Sequence, residues 1–218
     1  MESDDIYSHT TIVLCINDIK CNVVLRRIIN KDKCWKLIKS MYRDWVSINK
    51  CATELKKHSI QIPNLIPEII YCLTNNCSLV INVTPNQPCK KDIKSIFNEN
   101  PTETHVYMNG FIYQKTKNIK CISKPKKIMP FNIYNETTGK SIQLKYSLNT
   151  PDITSFGLYS YWDELVFMYI SDKDIYSIFE LGEIRIDEFL GKKNHKTISI
   201  YDKFIRPLYL QPNIKGVL

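Results

Sequence analysis

Asn109-Gly110 stands between Val106-Tyr107-Met108 and Phe111-Ile112-Tyr113, and no other stretch of the 218-residue chain limits the backbone so closely. A type I′ turn needs positive φ at both central residues, which Asn and Gly accept at least cost, so the pair predicts a two-residue hairpin. The turn sets the register: Met108 opposite Phe111, Val106 opposite Tyr113, Thr104 opposite Lys115. Side chains alternate across a strand. Val106, Met108, Phe111 and Tyr113 therefore share an apolar face directed at a core, while His105, Tyr107, Ile112 and Gln114 take the other.

The hairpin opens the most unusual segment in the chain. Thr104 to Asn135 contains six lysines and neither Asp nor Glu. Lys115 ends the second strand, and Lys117 and Lys120 follow it. Ser123-Lys124-Pro125-Lys126-Lys127 is expected to be an extended, exposed connection, because Pro125 cannot donate to a sheet ladder. Such a run can follow a phosphate backbone with at most one lysine per phosphate. Lysine is a point charge without the fork that reads base edges. The expected contact surface is therefore Lys115, Lys117, Lys120, Lys124, Lys126 and Lys127, with Tyr107 as the exposed aromatic for base stacking, and binding largely independent of sequence. The plainer account is a solvated lysine loop in a lysine-rich chain. Ile, Lys, Asn and Tyr are abundant and glycine is held to six, a bias that fits a low-GC genome such as that of a large DNA virus or a parasite.

The rest of the chain reads as α+β, with helices concentrated in the N-terminal half and an antiparallel sheet in the C-terminal half. Thr10–Ile16 and Cys21–Ile29 are β-rich around an Asn17-Asp18 turn. Apolar residues recur at helical spacing from Lys31 to about Ile48, where Cys34, Ile38, Met41, Trp45 and Ile48 form one stripe and Trp45 anchors the core. Short strands are expected at Ser59–Ile62 and Leu79–Val83, and short helices at Glu68–Leu73 and Lys90–Phe97. A second hairpin turns at Thr138-Gly139, with Ile142, Leu144, Tyr146 and Leu148 on one face. Strands follow at Gly157–Ser160, Leu165–Ile170, Tyr176–Leu181, Ile184–Ile186 and Thr197–Ile200. Pro101 lies within the expected boundary between an α+β region, 1–100, and a mainly β region, 101–218, the alternative being one continuous domain.

The net charge of +8 favours anionic partners. Residues 1–120 hold 17 Lys and Arg against 11 Asp and Glu, and residues 121–218 hold 13 against 11, so the excess belongs to the first half and the middle. No apolar run approaches the roughly 20 residues that span a bilayer, and the short run at Ile12–Ile16 is no signal peptide. An intracellular protein with eight reduced cysteines follows.

Scattered glycines build no phosphate loop. Cys72, Cys77 and Cys89 lack the tight pairing of zinc ligands, and no Ser sits in a nucleophile elbow. No cofactor is expected. Metal-dependent nucleases use two or three carboxylates with a lysine around Mg²⁺. Acids do gather at Asp163, Glu164, Asp172, Asp174, Glu180, Glu183, Asp187 and Glu188, but Glu183-Ile184-Arg185 offers Arg where Lys is expected and reads more simply as a half-solvated strand. The reading favoured by sequence is a non-enzymatic nucleic-acid-contacting accessory of replication, transcription or packaging. A protein–protein adaptor, its basic loop facing an acidic partner, is the alternative, and a Mg²⁺-dependent nuclease the second.

Overall fold

The computed structural model describes residues 5–58, 60–125, 131–148, 154–157, 161–171, 173–184, 195–198 and 200–218. The chain is α+β. Its described α-helices lie in the first hundred residues: α1 (Lys31–Glu54), α2 (Leu65–Asn75) and α3 (Lys90–Glu99). Strands run through the whole chain: β1 (Tyr7–Ile16), β2 (Ile19–Ile28), β3 (Ser78–Pro85), β4 (His105–Met108), β5 (Phe111–Lys115), β6 (Ile119–Ser123), β7 (Ile133–Asn135), β8 (Lys140–Leu148), β9 (Thr154–Gly157), β10 (Glu164–Ile170), β11 (Ile175–Gly182), β12 (His195–Ile198) and β13 (Ile214–Val217).

Eight strands form one sheet in the order β1-β2-β3-β7-β8-β10-β11-β13. Its neighbours are antiparallel except β8 and β10, whose connection must cross the sheet. Asn17 and Asp18 both take positive φ (49° and 62°) and close the β1–β2 hairpin. α1 and α2 cover one face. Ile142, Leu144, Tyr146 and Leu148 of β8 meet that layer, as expected, together with Ile38, Ile66, Ile69 and Ile70. The opposite face carries a cluster around Leu165, Phe167 and Phe204 and another around Val23, Leu25 and Phe131.

Two expectations about the helical layer need correction. The stripe of α1 is narrower than its periodicity suggests: Ile48 is exposed, and Trp45 is half-buried, with its indole N–H on the Ile60 carbonyl at 2.9 Å. The cause is that residues 60–64 pack beside α1 as irregular chain, where the sequence suggested a strand. The expected strand ends at Ser160, Ile186 and Thr197–Ile200 lie partly outside the described residues; Ile200 itself is helical.

Residues 86–132 leave the sheet at the end of β3 and return at β7. They hold α3 and the three-stranded sheet β4-β5-β6. The Asn109-Gly110 hairpin has the expected register, Met108 opposite Phe111 and Val106 opposite Tyr113. Val106, Phe111 and Tyr113 are buried against Ile93 and Phe97 of α3. The Asn109 side chain docks this module on the main sheet: its Nδ2 donates to the Lys20 and Asn86 carbonyls at 2.9 and 2.6 Å, and its Oδ1 accepts from the Lys20 N–H at 2.6 Å.

Candidate functional site

The expected lysine surface is carried by the module. Lys115, Lys117, Lys120 and Lys124 are all exposed, and Tyr107 is 76% exposed on the solvent side of its hairpin. The route between them differs from expectation. Ile119–Ser123 is a third strand paired with β5, where the sequence suggested no element, so Lys120 projects from a sheet, and Ser123, expected to open the extended connection, ends that strand. Lys126 and Lys127 lie outside the described residues. Lys115 rests over the Phe97 ring, 5.8 Å from its centroid, which orients it by cation–π attraction. Lys90, Lys91 and Lys94 of α3 add to the same module. Lys33, Lys36 and Lys39 belong to α1, a different element on the α-covered face.

A second array was not anticipated, and it lies where the sheet parts. β3 pairs with β7 only at Ser78–Tyr134 and Leu79–Ile133 but continues to Pro85. β8 pairs with β7 only from Lys140 to Ile142 but continues to Leu148. Above Ile133, no described strand stands between them. Asn132 fills the apex of this split. Its backbone carbonyl accepts from the Val80 N–H at 2.9 Å. Its side-chain Oδ1 accepts from the Leu144 N–H at 3.1 Å and from the Gln143 amide, replacing the ladder partner that β7 no longer supplies. Its Nδ2 donates to Glu68 Oε1 at 2.9 Å, reaching the first turn of α2 through the gap.

Glu68 is therefore a largely buried carboxylate whose hydrogen-bond donor is a neutral amide. Burial pushes its pKa up from 4.5 to about 7, and the Asn132 bond opposes this only partly. Gln143 and Lys145 alternate with the apolar residues of β8 and so point to the opposite sheet face. They stand beside Leu165 and Phe167 of β10 in the parallel register. Phe167 is fully buried, and burial correspondingly lowers the Lys145 pKa. The split thus brings together one desolvated carboxylate and two amides from α2, the start of β7 and the middle of β8; Lys145, a desolvated amine, stands two residues beyond Gln143 on the face of β8 turned away from α2.

The late acids serve elsewhere. Asp163 accepts from the Ser141 N–H and hydroxyl at 2.7 and 2.6 Å. Lys140 bridges Glu164 and Glu183 at 2.8 and 2.9 Å. Asp174 accepts from the Tyr42 hydroxyl at 2.7 Å. Asp172, Arg185, Asp187 and Glu188 lie outside the described residues.

Among the described residues, no three His, Cys, Asp or Glu side chains are grouped to enclose a metal ion. Magnesium does not require such a cage: it commonly keeps several waters and takes one or two carboxylates together with substrate phosphate. Glu68, held by the Asn132 amide and uncompensated by any described cation partner, fits that more open kind of site. The octahedral cage of several acids does not fit.

Residues 116–204 match the family model described as Bsp6I restriction endonuclease. The match takes in β6 to β12, and with them Asn132, Gln143 and Lys145, while Glu68 precedes it. No curated protein and no solved structure matches the chain. No described helix is long and apolar enough to cross a membrane.

Proposed function

We propose that this chain acts on DNA as a divalent-cation-dependent nuclease, with Glu68, Asn132, Gln143 and Lys145 at the centre. The likeness to a restriction-endonuclease family over residues 116–204 carries the proposal, because the same segment holds β7 and β8, whose parting creates the centre. It favours the nuclease reading over the accessory and adaptor readings.

Each residue has a separate task. The lysines of the module draw the DNA backbone toward the split by charge alone. Lys145, desolvated beside Phe167, pairs with the phosphate being cleaved and offsets its growing charge. Glu68 would hold the cation, which when bound would lower the pKa of a water and polarise the phosphate. Asn132 keeps Glu68 and Gln143 together, and it positions rather than reacts.

The test is cleavage of duplex DNA with Mg²⁺ or Mn²⁺ against an EDTA control. Wild type is expected to cut, and Lys145→Met to lose at least about a hundredfold of that rate, the scale of removing one preorganised electrostatic group. Cleavage unaffected by Lys145→Met would refute this assignment of the centre. Salt-sensitive binding without cleavage under any divalent cation would return the accessory reading to first place.

A further inference from the structure

A separate cavity opens in the lysine module, between α3 and the β5–β6 face. It has a volume of about 390 Å³. Ile93 and Ile119 form its apolar walls, Asn118 and Tyr113 supply polar groups, and Lys90 and Lys94 stand at its edge. The two lysines are one helical turn apart and project from the same side of α3.

Tyr113 is the unusual member. Its side chain is only 4% exposed, yet its hydroxyl has no hydrogen-bond partner among the described residues. Gln87 approaches the oxygen, and its influence opposes the rise that burial imposes on the phenol pKa, but no bond of good geometry closes. A buried hydroxyl left unpaired lowers stability, and native structures retain few of them. Phenylalanine would fill the same space without that cost. The hydroxyl therefore makes sense as a contact for something that enters the cavity.

We infer that this cavity binds a nucleobase, paired by the Tyr113 hydroxyl and Asn118 and packed on Ile93 and Ile119, with the attached phosphate on Lys90 and Lys94. The volume lies within the range of small-ligand pockets, and the lining has their usual make-up of apolar walls with a few polar groups. A flat heteroaromatic ring with hydrogen-bonding edges suits those walls, and a phosphate suits the lysine pair. The same chemistry has two sources: a free nucleotide, or a base swung out of DNA held by the module. Only the second source rests on the DNA-acting reading above.

Three measurements decide the matter. Calorimetry with dAMP and dCMP tests the free nucleotide. Fluorescence of 2-aminopurine placed within duplex DNA tests the extruded base, since unstacking brightens it. Filter binding of the same duplex reports DNA affinity independently. Wild type should bind a mononucleotide, or brighten 2-aminopurine, or both. Tyr113→Phe should reduce that signal about tenfold, the most that one hydrogen bond supplies, without lowering the melting temperature. Lys90→Ala with Lys94→Ala should weaken dAMP but leave deoxyadenosine nearly unchanged. Duplex bound with neither signal would overturn the pocket and leave the DNA reading standing. Mononucleotide bound without duplex would do the reverse. Equal binding by Tyr113→Phe and wild type would also overturn it.

Discussion

Glu68 gives the sharpest test, because its burial ties stability, pH and cation binding to one side chain. Its pKa stands at about 7 in the fold against 4.5 for the ordinary carboxyl. Raising an acid's pKa on folding means that the unfolded chain ionises first. The stability cost is therefore absent below about pH 4.5, grows between 4.5 and 7, and is complete above 7. The displacement corresponds to about 3 kcal/mol at full ionisation, an upper figure because water entering the split would reduce it. Glu68→Gln keeps an oxygen to accept from Asn132 and removes the charge. For a chain of this size, each kcal/mol moves the melting temperature by about 2–4 °C. The variant should melt with wild type at pH 4.5 and up to about 10 °C above it at pH 8. Differential scanning fluorimetry at the two pH values measures this directly. Manganese at pH 8 should then raise the melting temperature of wild type, by linkage to the folded state, and leave the variant unmoved. A gain of equal size at both pH values would show that charge burial is not its cause. A manganese shift preserved in the variant would remove Glu68 from the cation site.

Three further outcomes follow from other parts of the molecule. Reversing Lys117, Lys120 and Lys124 to Glu should weaken DNA binding at low salt and flatten its logarithmic salt dependence by about 0.9 for each phosphate no longer neutralised, with the melting temperature within about 2 °C of wild type; an unchanged salt slope would exclude these lysines from the DNA-binding surface. Asn132→Ala strips the cap from Leu144 N–H and the donor from Glu68 at once, and should destabilise by about 1–3 kcal/mol while abolishing cleavage, as denaturant titration and the cleavage assay would report. Gly216→Ala places a Cβ 2.3 Å from the Tyr176 ring, which packs across β13; it should cost about 1–3 kcal/mol through forced repacking, whereas a silent substitution would mean that the ring moves freely.

What could be read in advance depended on whether neighbours in space were neighbours in sequence. The Asn109-Gly110 turn specifies its own register, so the inward face of Val106, Phe111 and Tyr113 and the exposure of Tyr107 and Lys115 follow from local rules. The β8 pattern was legible only halfway. Ile142, Leu144, Tyr146 and Leu148 announce the face that meets α1 and α2, but Gln143 and Lys145 on the other side look like ordinary solvated positions. Their role depends on the parallel partner β10, which places Leu165 and Phe167 beside them, and a parallel pairing across a crossover leaves no local mark. Glu68 was harder still. It joins the centre through one hydrogen bond to Asn132, 64 residues away. A search for clustered acids passes over a centre in which two of the four polar groups are amides. No local signal marks Gln143 and Lys145: Ser141, Gln143, Lys145 and Ser147 alternate with Ile142, Leu144, Tyr146 and Leu148, the pattern of a strand with one face in water, and only the burial of the second face makes their polarity costly.

Chain order explains why the lysines and the split belong together. β3 and β7 are antiparallel neighbours, so the segment joining them must begin where β3 ends, at Pro85, and finish at Asn132, inside the split. The inserted module thus leaves the sheet at its Pro85 end. Asn109 then fixes the orientation, since its bonds to Lys20 and Asn86 tie the hairpin tip to that same end. Residues 90–124 bring seven lysines against three acids to this position. The positive charge therefore cannot drift to another face without breaking the connection. A basic surface on α1, such as Lys36 and Lys39 beside Trp35, has no comparable constraint and leads to no opening between strands. On the proposed nuclease reading, charge held at that end of the sheet draws the DNA backbone toward the split. This placement, more than the number of lysines, is why cleavage should fall when the module's lysines are reversed and should survive reversal of Lys36 and Lys39. Equal reductions from both sets would mean that overall charge, rather than position, brings DNA to the protein.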